Sequence, residues 1–306
     1  MNLKLRANSH WQNKMNTPSE IKLIPATEVS YHKIVSFLKA REQSCVQLFE
    51  RTEQSYVAGW PKKLGDFVCL CQGEKLLALI FASKAGLILH CFSSDVTSNF
   101  FVPETILLGK FFSERKVYCI SGEANGTNFI VNAIENSGSL HKIVEVRDYK
   151  LMIFDTKSVN TAKHSATKIK LCTLEDLEAL YPLQHNYDIV EVLPHNRPFN
   201  EKLCRNNLLH ALGQHRVYAV PCKKNFAAKA AVSAISPGFV QIGGVFTMPE
   251  YRCQGYARSL VYHIAQTAKK AKKGTVLFVR NQNTAAICAY NNAGFCQTKD
   301  YKIIYY

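Results

Sequence analysis

The chain has 306 residues and a hydrophobic fraction of 47%, enough for two domains of ordinary size around substantial cores. No apolar run approaches the roughly 18 residues of a membrane span, and the polar first twenty residues hold no signal-peptide core. The net charge of +15 would suit an anionic ligand or nucleic acid; without a basic repeat interleaved with aromatics it reads as a lysine-rich solvated surface and argues against nucleic acid as a partner.

In chain order, residues 1–20 read as a flexible N-terminus. Glu28 to Tyr56 reads as one or two helices, with Ile34, Phe37, Leu38, Val46, Phe49 and Tyr56 as apolar positions. Asp66–Cys71 and Lys75–Ala82 read as strands joined by a hairpin at Gln72-Gly73-Glu74, and Gly86–Phe92 as a third strand. Glu104–Ser113 reads as a helix, Lys116–Ser121 as a strand, Asn128–Glu135 as a helix, and Tyr149–Asp155 as the closing strand. The eleven cysteines show no pairing pattern; Cys69 and Cys71 share one strand face but lack a second pair for zinc. Buried free thiols fit a reducing cytoplasm.

Residues 156–167 are polar and aperiodic and read as a linker. A similar order then resumes. Lys168–Leu171 is a strand, and Thr173 caps a helix that runs to about Gln184, with Asp176 three residues on. Asn200–Leu212 is a helix; His215–Pro221 and Ala227–Ile235 are strands. The expectation is two similar domains in tandem, over residues 21–155 and 168–306, each of α/β (α+β) class with a mixed, mostly antiparallel sheet flanked by helices.

The stretch from Val240 to Arg258, VQIGGVFTMPEYRCQGYAR, concentrates the chemistry. Val240–Thr247 is a strand that Pro249 ends, having no N–H. Gly255-Tyr256-Ala257 opens a helix whose Leu260, Val261, Ile264 and Ala268 share one face. Unpaired N–H groups and the dipole of a helix N-terminus favour an anion. Small residues at Gly255 and Ala257 allow close approach, and Arg252 adds a guanidinium suited to phosphate. On spacing alone, an ordinary strand–helix connection with an incidental glycine fits equally well. No Gly-Lys-Ser/Thr triplet and no complete G-x-G-x-x-G occurs in the chain.

Arg252-Cys253-Gln254-Gly255-Tyr256-Ala257 resembles the R/Q-x-x-G-x-G/A loop of the GCN5-related N-acetyltransferase (GNAT) superfamily. So do its surroundings: V-F-T-x-P-E-Y-R before it, a strand at Gly274–Arg280, then Asn283, Ala286, Tyr290 and Gly294-Phe295. The resemblance runs from about Ile169 to Tyr306. It implies a GNAT fold and acetyl transfer from acetyl-CoA to a primary amine, without a metal. The loop Arg252–Arg258 would cradle the pyrophosphate. Gly243-Gly244 would permit a bulge, and Val245, Phe246 and Thr247 would meet the pantetheine as an added strand would, one amide polarising the thioester carbonyl. Asn283 would cap its helix or bond the pantetheine. The first half resembles this fold only in outline: Ser93–Ser98 stands where the phosphate loop would be.

Tyr290 is the candidate general acid. The family places a tyrosine beside the thioester sulfur, and a phenol near ~10 can protonate a thiolate near ~8.5. Helix packing is the plainer alternative. Gln241 occupies the place of a glutamate base found in some members, leaving Glu250, Glu191, His215 or solvent. Asp188 and Glu191, within Tyr187–Pro194, could draw a cationic acceptor or be solvated loop charges. A non-catalytic acetyl-CoA sensor stays open, as does a homodimer.

Overall fold

The computed structural model describes residues 20–61, 65–94, 96, 102–138, 140–158 and 167–306. Residues 1–19, most of the expected linker and three of the six residues Ser93–Ser98 lie outside the described residues.

Apolar strings punctuated by turn residues become the strands. The first half runs β1 (Ile21–Pro25), α1 (Tyr31–Lys39), α2 (Val46–Val57), β2 (Gly65–Gln72), β3 (Lys75–Ser83), β4 (Leu87–Phe92), α3 (Val102–Ser113), β5 (Cys119–Glu123), α4 (Ala124–Asn136) and β6 (Glu145–Phe154). The second runs β7 (Lys170–Leu171), α5 (Leu177–Tyr187), α6 (Glu201–Gly213), β8 (Val217–Cys222), β9 (Asn225–Ile235), β10 (Phe239–Thr247), α7 (Tyr256–Lys270), β11 (Gly274–Arg280), α8 (Thr284–Ala293) and β12 (Phe295–Tyr305). The strand β1, which the sequence pattern did not suggest, pairs antiparallel with β2.

All twelve strands join one sheet in the order β1-β2-β3-β4-β5-β12-β6-β11-β10-β9-β8-β7. Mixed but mostly antiparallel, it is flanked by helices, as the expected fold class required. From either end the order is the same: five strands of one half, the last strand of the other half, then the half's own last strand. The halves have therefore exchanged their final strands. β6 and β12 pair antiparallel at the centre, from Phe295↔Phe154 to Tyr305↔Glu145. A division at residues 155 and 168 separates the halves in sequence, yet both neighbours of β6 belong to the second half.

Each half is covered on both faces. In the second, Val240 and Ile242 of β10 meet Leu260, Val261 and Ile264 of α7, while Phe246 meets Leu180, Leu208 and Leu212 beneath α5 and α6. Each of these fully buried Leu, Val and Ile side chains contributes roughly 1.5–3 kcal/mol. Glu42, buried beside α2, reaches into the second half, where its carboxylate accepts from Ser236 Oγ at 2.5 Å and Gly238 N at 2.6 Å. Glu50 of α2 pairs with Arg216 at 2.6 Å. Seven of the eleven cysteines are buried, and all eleven are free thiols.

Candidate active site

The site begins with two parallel strands that part. β10 and β11 pair only from Phe239↔Gly274 to Ile242↔Leu277. Both then continue, to Thr247 and Arg280, without a ladder between them. On its other side β10 is bulged: the register on β9 passes from Gly243↔Ala231 to Phe246↔Lys229, so Gly244 and Val245 stand opposite Ala230 alone. Gly244 sits at φ +60°, in the left-handed region where a Cβ costs energy. Its carbonyl turns away from the ladder and accepts from Lys229 Nζ at 2.9 Å.

Lys229 is 1% exposed and lies over the ring of Tyr187 at 4.7 Å. Burial pulls its ammonium down to about 8, with Asp188 and Cys204 acting the other way. The Tyr187 phenol in turn faces the Gly244 backbone. One lysine and one tyrosine thus brace the bulge.

Past Thr247 a 3-10 turn (Pro249–Tyr251) leads into the loop. Cys253 (φ +61°) and Gly255 (φ +79°) are both left-handed and wrap the chain tightly before Tyr256 starts α7. Gly255 is the N-cap and no side chain caps the helix, so the first-turn N–H groups are left open. Arg252 Nε donates weakly to Thr247 O at 3.4 Å. A Cβ on Gly255 would meet Arg258 Nη2 at 3.2 Å, and Arg258 Nε is buried without a hydrogen-bond partner among the described residues. A buried guanidinium N–H left unmatched, beside uncapped amides and a glycine, fits a phosphate. At the far end of α7, Lys272 turns left-handed and Lys273 donates to the carbonyls of Ser236 and Pro237 at 2.5 and 2.8 Å.

The opposite wall is α8. Asn283 caps it, its Oδ1 accepting from Ala286 N at 3.1 Å. Ala285, Ala286 and Ala289 present a small-residue face to the cleft, followed by Tyr290. Tyr290 is 6% exposed. Burial pushes its phenol well above the ordinary tyrosine value, and Tyr187 and Glu191 push the same way. The hydroxyl is therefore protonated throughout the neutral range.

The last wall comes partly from the first half. Tyr149 of β6 sits opposite Arg280 in the sheet and lines the cleft. Beyond α5 a π-helical turn (Asp188–Val192) leaves carbonyls without helical partners. Arg280 Nη2 donates to Glu191 O at 2.7 Å, and its Nε is 3.4 Å from the Glu191 carboxylate. Buried Arg147 of β6 donates to the carbonyls of Glu191, Val192 and Leu193 at 2.8, 3.1 and 2.7 Å. Its partner Glu145 bonds it bidentately, and Arg147 holds that carboxyl below the usual range.

Together these walls enclose a cavity of about 650 Å³, a size suited to a large cofactor arm or a drug-sized ligand. Val245, Phe246, Thr247, all of Arg252–Arg258, Asn283 and Tyr290 line it, so the structure gathers the residues named from the sequence around one space. Of the candidate bases only Glu191 lines it. Gln241 instead bonds Ser233 at 3.1 Å, and Glu250 and His215 are exposed elsewhere. The sequence reading missed Tyr149, Arg147, Arg280 and Lys229. Lys229 had a signal: it interrupts the alanines Ala227-Ala228 and Ala230-Ala231 of a buried strand.

Residues 177–295 match the family model described as the acetyltransferase (GNAT) family. The chain thus carries a GNAT-family acetyltransferase domain, and the matched residues include the loop, α7, β11 and α8. No curated protein matches. Among solved structures, a Drosophila protein aligns with TM-score 0.62 at 9% identity, over 93% of this chain and 97% of its own. A GNAT-family acetyltransferase from Colwellia psychrerythraea aligns with TM-score 0.55 at 13% identity, over 94% and 98%. A tandem GNAT protein from the clavulanic acid biosynthesis pathway aligns with TM-score 0.53 at 7% identity, over 93% and 98%. These likenesses are of fold, and they extend over both halves.

Proposed function

We propose that the protein is an acetyl-CoA-dependent N-acetyltransferase whose working unit is residues 168–306 together with β6, the first half being a copy that does not hold acetyl-CoA. The observation that carries this reading is the parted β10/β11 cleft, which runs from Tyr290 to the uncapped N-terminus of α7. Acetyl-CoA, when bound, supplies the activated acetyl group.

The chain's own residues then act as follows. The first-turn amides of α7, with Arg252 and Arg258, hold the pyrophosphate. The bulged edge at Val245–Thr247 pairs with the pantetheine amides as a strand would, and a backbone N–H at the bulge polarises the carbonyl. Tyr290, kept protonated by burial, donates its proton at the leaving sulfur, a contribution of roughly 10²–10⁴-fold. Glu191 is the one carboxylate lining the cavity among the described residues and takes the proton of the acceptor amine. A sensor that binds acetyl-CoA without turnover is the second reading, favoured only by the lack of a glutamate at Gln241.

Calorimetric titration of acetyl-CoA tests this, beside the Arg252→Glu, Gly255→Glu double variant. Micromolar binding by the native chain, abolished in a folded variant, is expected. Undiminished binding by that variant would move the ligand away from α7, and no binding by the native chain would end the acetyltransferase reading.

A further inference from the structure

We infer that the acceptor is a primary amine carrying a single positive charge on an apolar or aromatic body, an inference that rests on the acetyltransferase reading above. The cavity lining holds three arginines and one carboxylate among the described residues. Arg252 and Arg258 stand at the α7 end. The remaining arginine, Arg280, is committed to Glu191, through its carbonyl at 2.7 Å and its carboxylate at 3.4 Å. At the acceptor end this leaves one partly matched carboxylate and a set of largely uncharged walls.

Those walls are Tyr149 and Tyr187, with Val190 at the mouth. Val190 is 54% exposed, and its neighbours Ile189 and Val192 are 43% and 41% exposed on the same π-helical turn. Three adjacent branched aliphatic side chains held out into water are costly unless something covers them. Arg147 and Arg280 hold the end of that turn through the carbonyls of Glu191, Val192 and Leu193. A bound amine with a hydrocarbon body would cover Val190, the member of the three that lines the cavity, while its ammonium meets Glu191. A polyamine brings several cations and finds a single carboxylate among arginines, so its further charges would be desolvated without partners.

The test uses the full chain at saturating acetyl-CoA and follows release of the free thiol with 2-phenylethylamine and with spermidine at pH 8. The expected kcat/KM for 2-phenylethylamine is at least tenfold the higher, in line with the roughly 10–200-fold that small apolar groups yield in such pockets. Val190→Asp, at an exposed position that tolerates a polar side chain, narrows that ratio at least fivefold and leaves the calorimetric affinity for acetyl-CoA unchanged. Equal or faster transfer to spermidine overturns the inference alone, as does acetyl-CoA binding without transfer to 2-phenylethylamine. Absence of acetyl-CoA binding overturns the parent reading, and this one with it.

Discussion

The two halves of the molecule place the same strands around the same parting, and only one of them opens. Gly86 O accepts from Cys119 N at 3.1 Å, as Gly238 O accepts from Gly274 N at 2.8 Å. The first parallel pairs, Leu87↔Cys119 and Phe239↔Gly274, follow directly. Counted from that anchor, His90 answers Ile242, and Cys91-Phe92 answers Gly243-Gly244. The ladder of β4 on β3 runs without a shift from Ala82↔Ile88 to Ala78↔Phe92, so β4 has no bulge. The His90 ring covers Gly122 and Gly126, leaving no room for a Cβ at either, and bonds Thr127 Oγ1 at 2.9 Å. Phe92 packs on Phe129 at 5.5 Å. α4 starts directly after β5, whereas residues 281–283 intervene between β11 and α8. A glycine pair and a short connection separate an open cleft from a filled one.

That contrast can be broken from either side. The largest effect should come from Tyr290→Phe, since α4, ANGTNFIVNAIEN, has no tyrosine at all. We expect kcat to fall by roughly 10²–10⁴ with the acetyl-CoA affinity unchanged; a loss under tenfold removes the general-acid role. Next is Gly244→Val, which forces a β-branched residue into φ +60° and pulls β10 toward the regular form of β4. Turnover should drop about 10²–10³-fold, the usual cost of a lost oxyanion donor, and near-native turnover would show that the bulge is not used.

The smallest effect is on stability. Burial pulls the His90 imidazole down to about 3 from 6.5. Between those values the unfolded chain binds a proton that the folded one refuses. Stability is therefore complete above pH 6.5 and falls on acidification, by about 1.4 kcal/mol per pH unit. His90→Leu should flatten that slope, read as urea midpoints at pH 7.5 and pH 5. An unchanged slope would mean that the ring is hydrated.

Much of the second half was legible because its signals are local. Strand alternation, Pro249, Gly255 and the apolar face of α7 all lie within one stretch, and the strand expected at Gly274–Arg280 has those bounds. The loop and α8 residues named from sequence do line one cavity. What escaped is set by distant pairing. Tyr149 reads as the first position of a closing strand and Arg147 falls before it, since the observed strand starts at Glu145; nothing near them in sequence says that β6 enters the other half. Arg280 gains its place only from the π-helical turn that it holds. β1 is five residues long and follows a polar stretch, too little pattern to register.

The exchanged strands also constrain how the polypeptide is made. During synthesis β5 and β6 emerge long before residues 274–305, which supply the missing neighbour of β5 and both neighbours of β6. Until then the nascent first half carries an unfinished sheet edge and an orphaned strand, the features most prone to wrong pairing. Closure must wait for contacts far apart in sequence, which are slow to form. Expressing the halves as separate genes would make that waiting state permanent, whereas co-expressing them would let two chains complete each other.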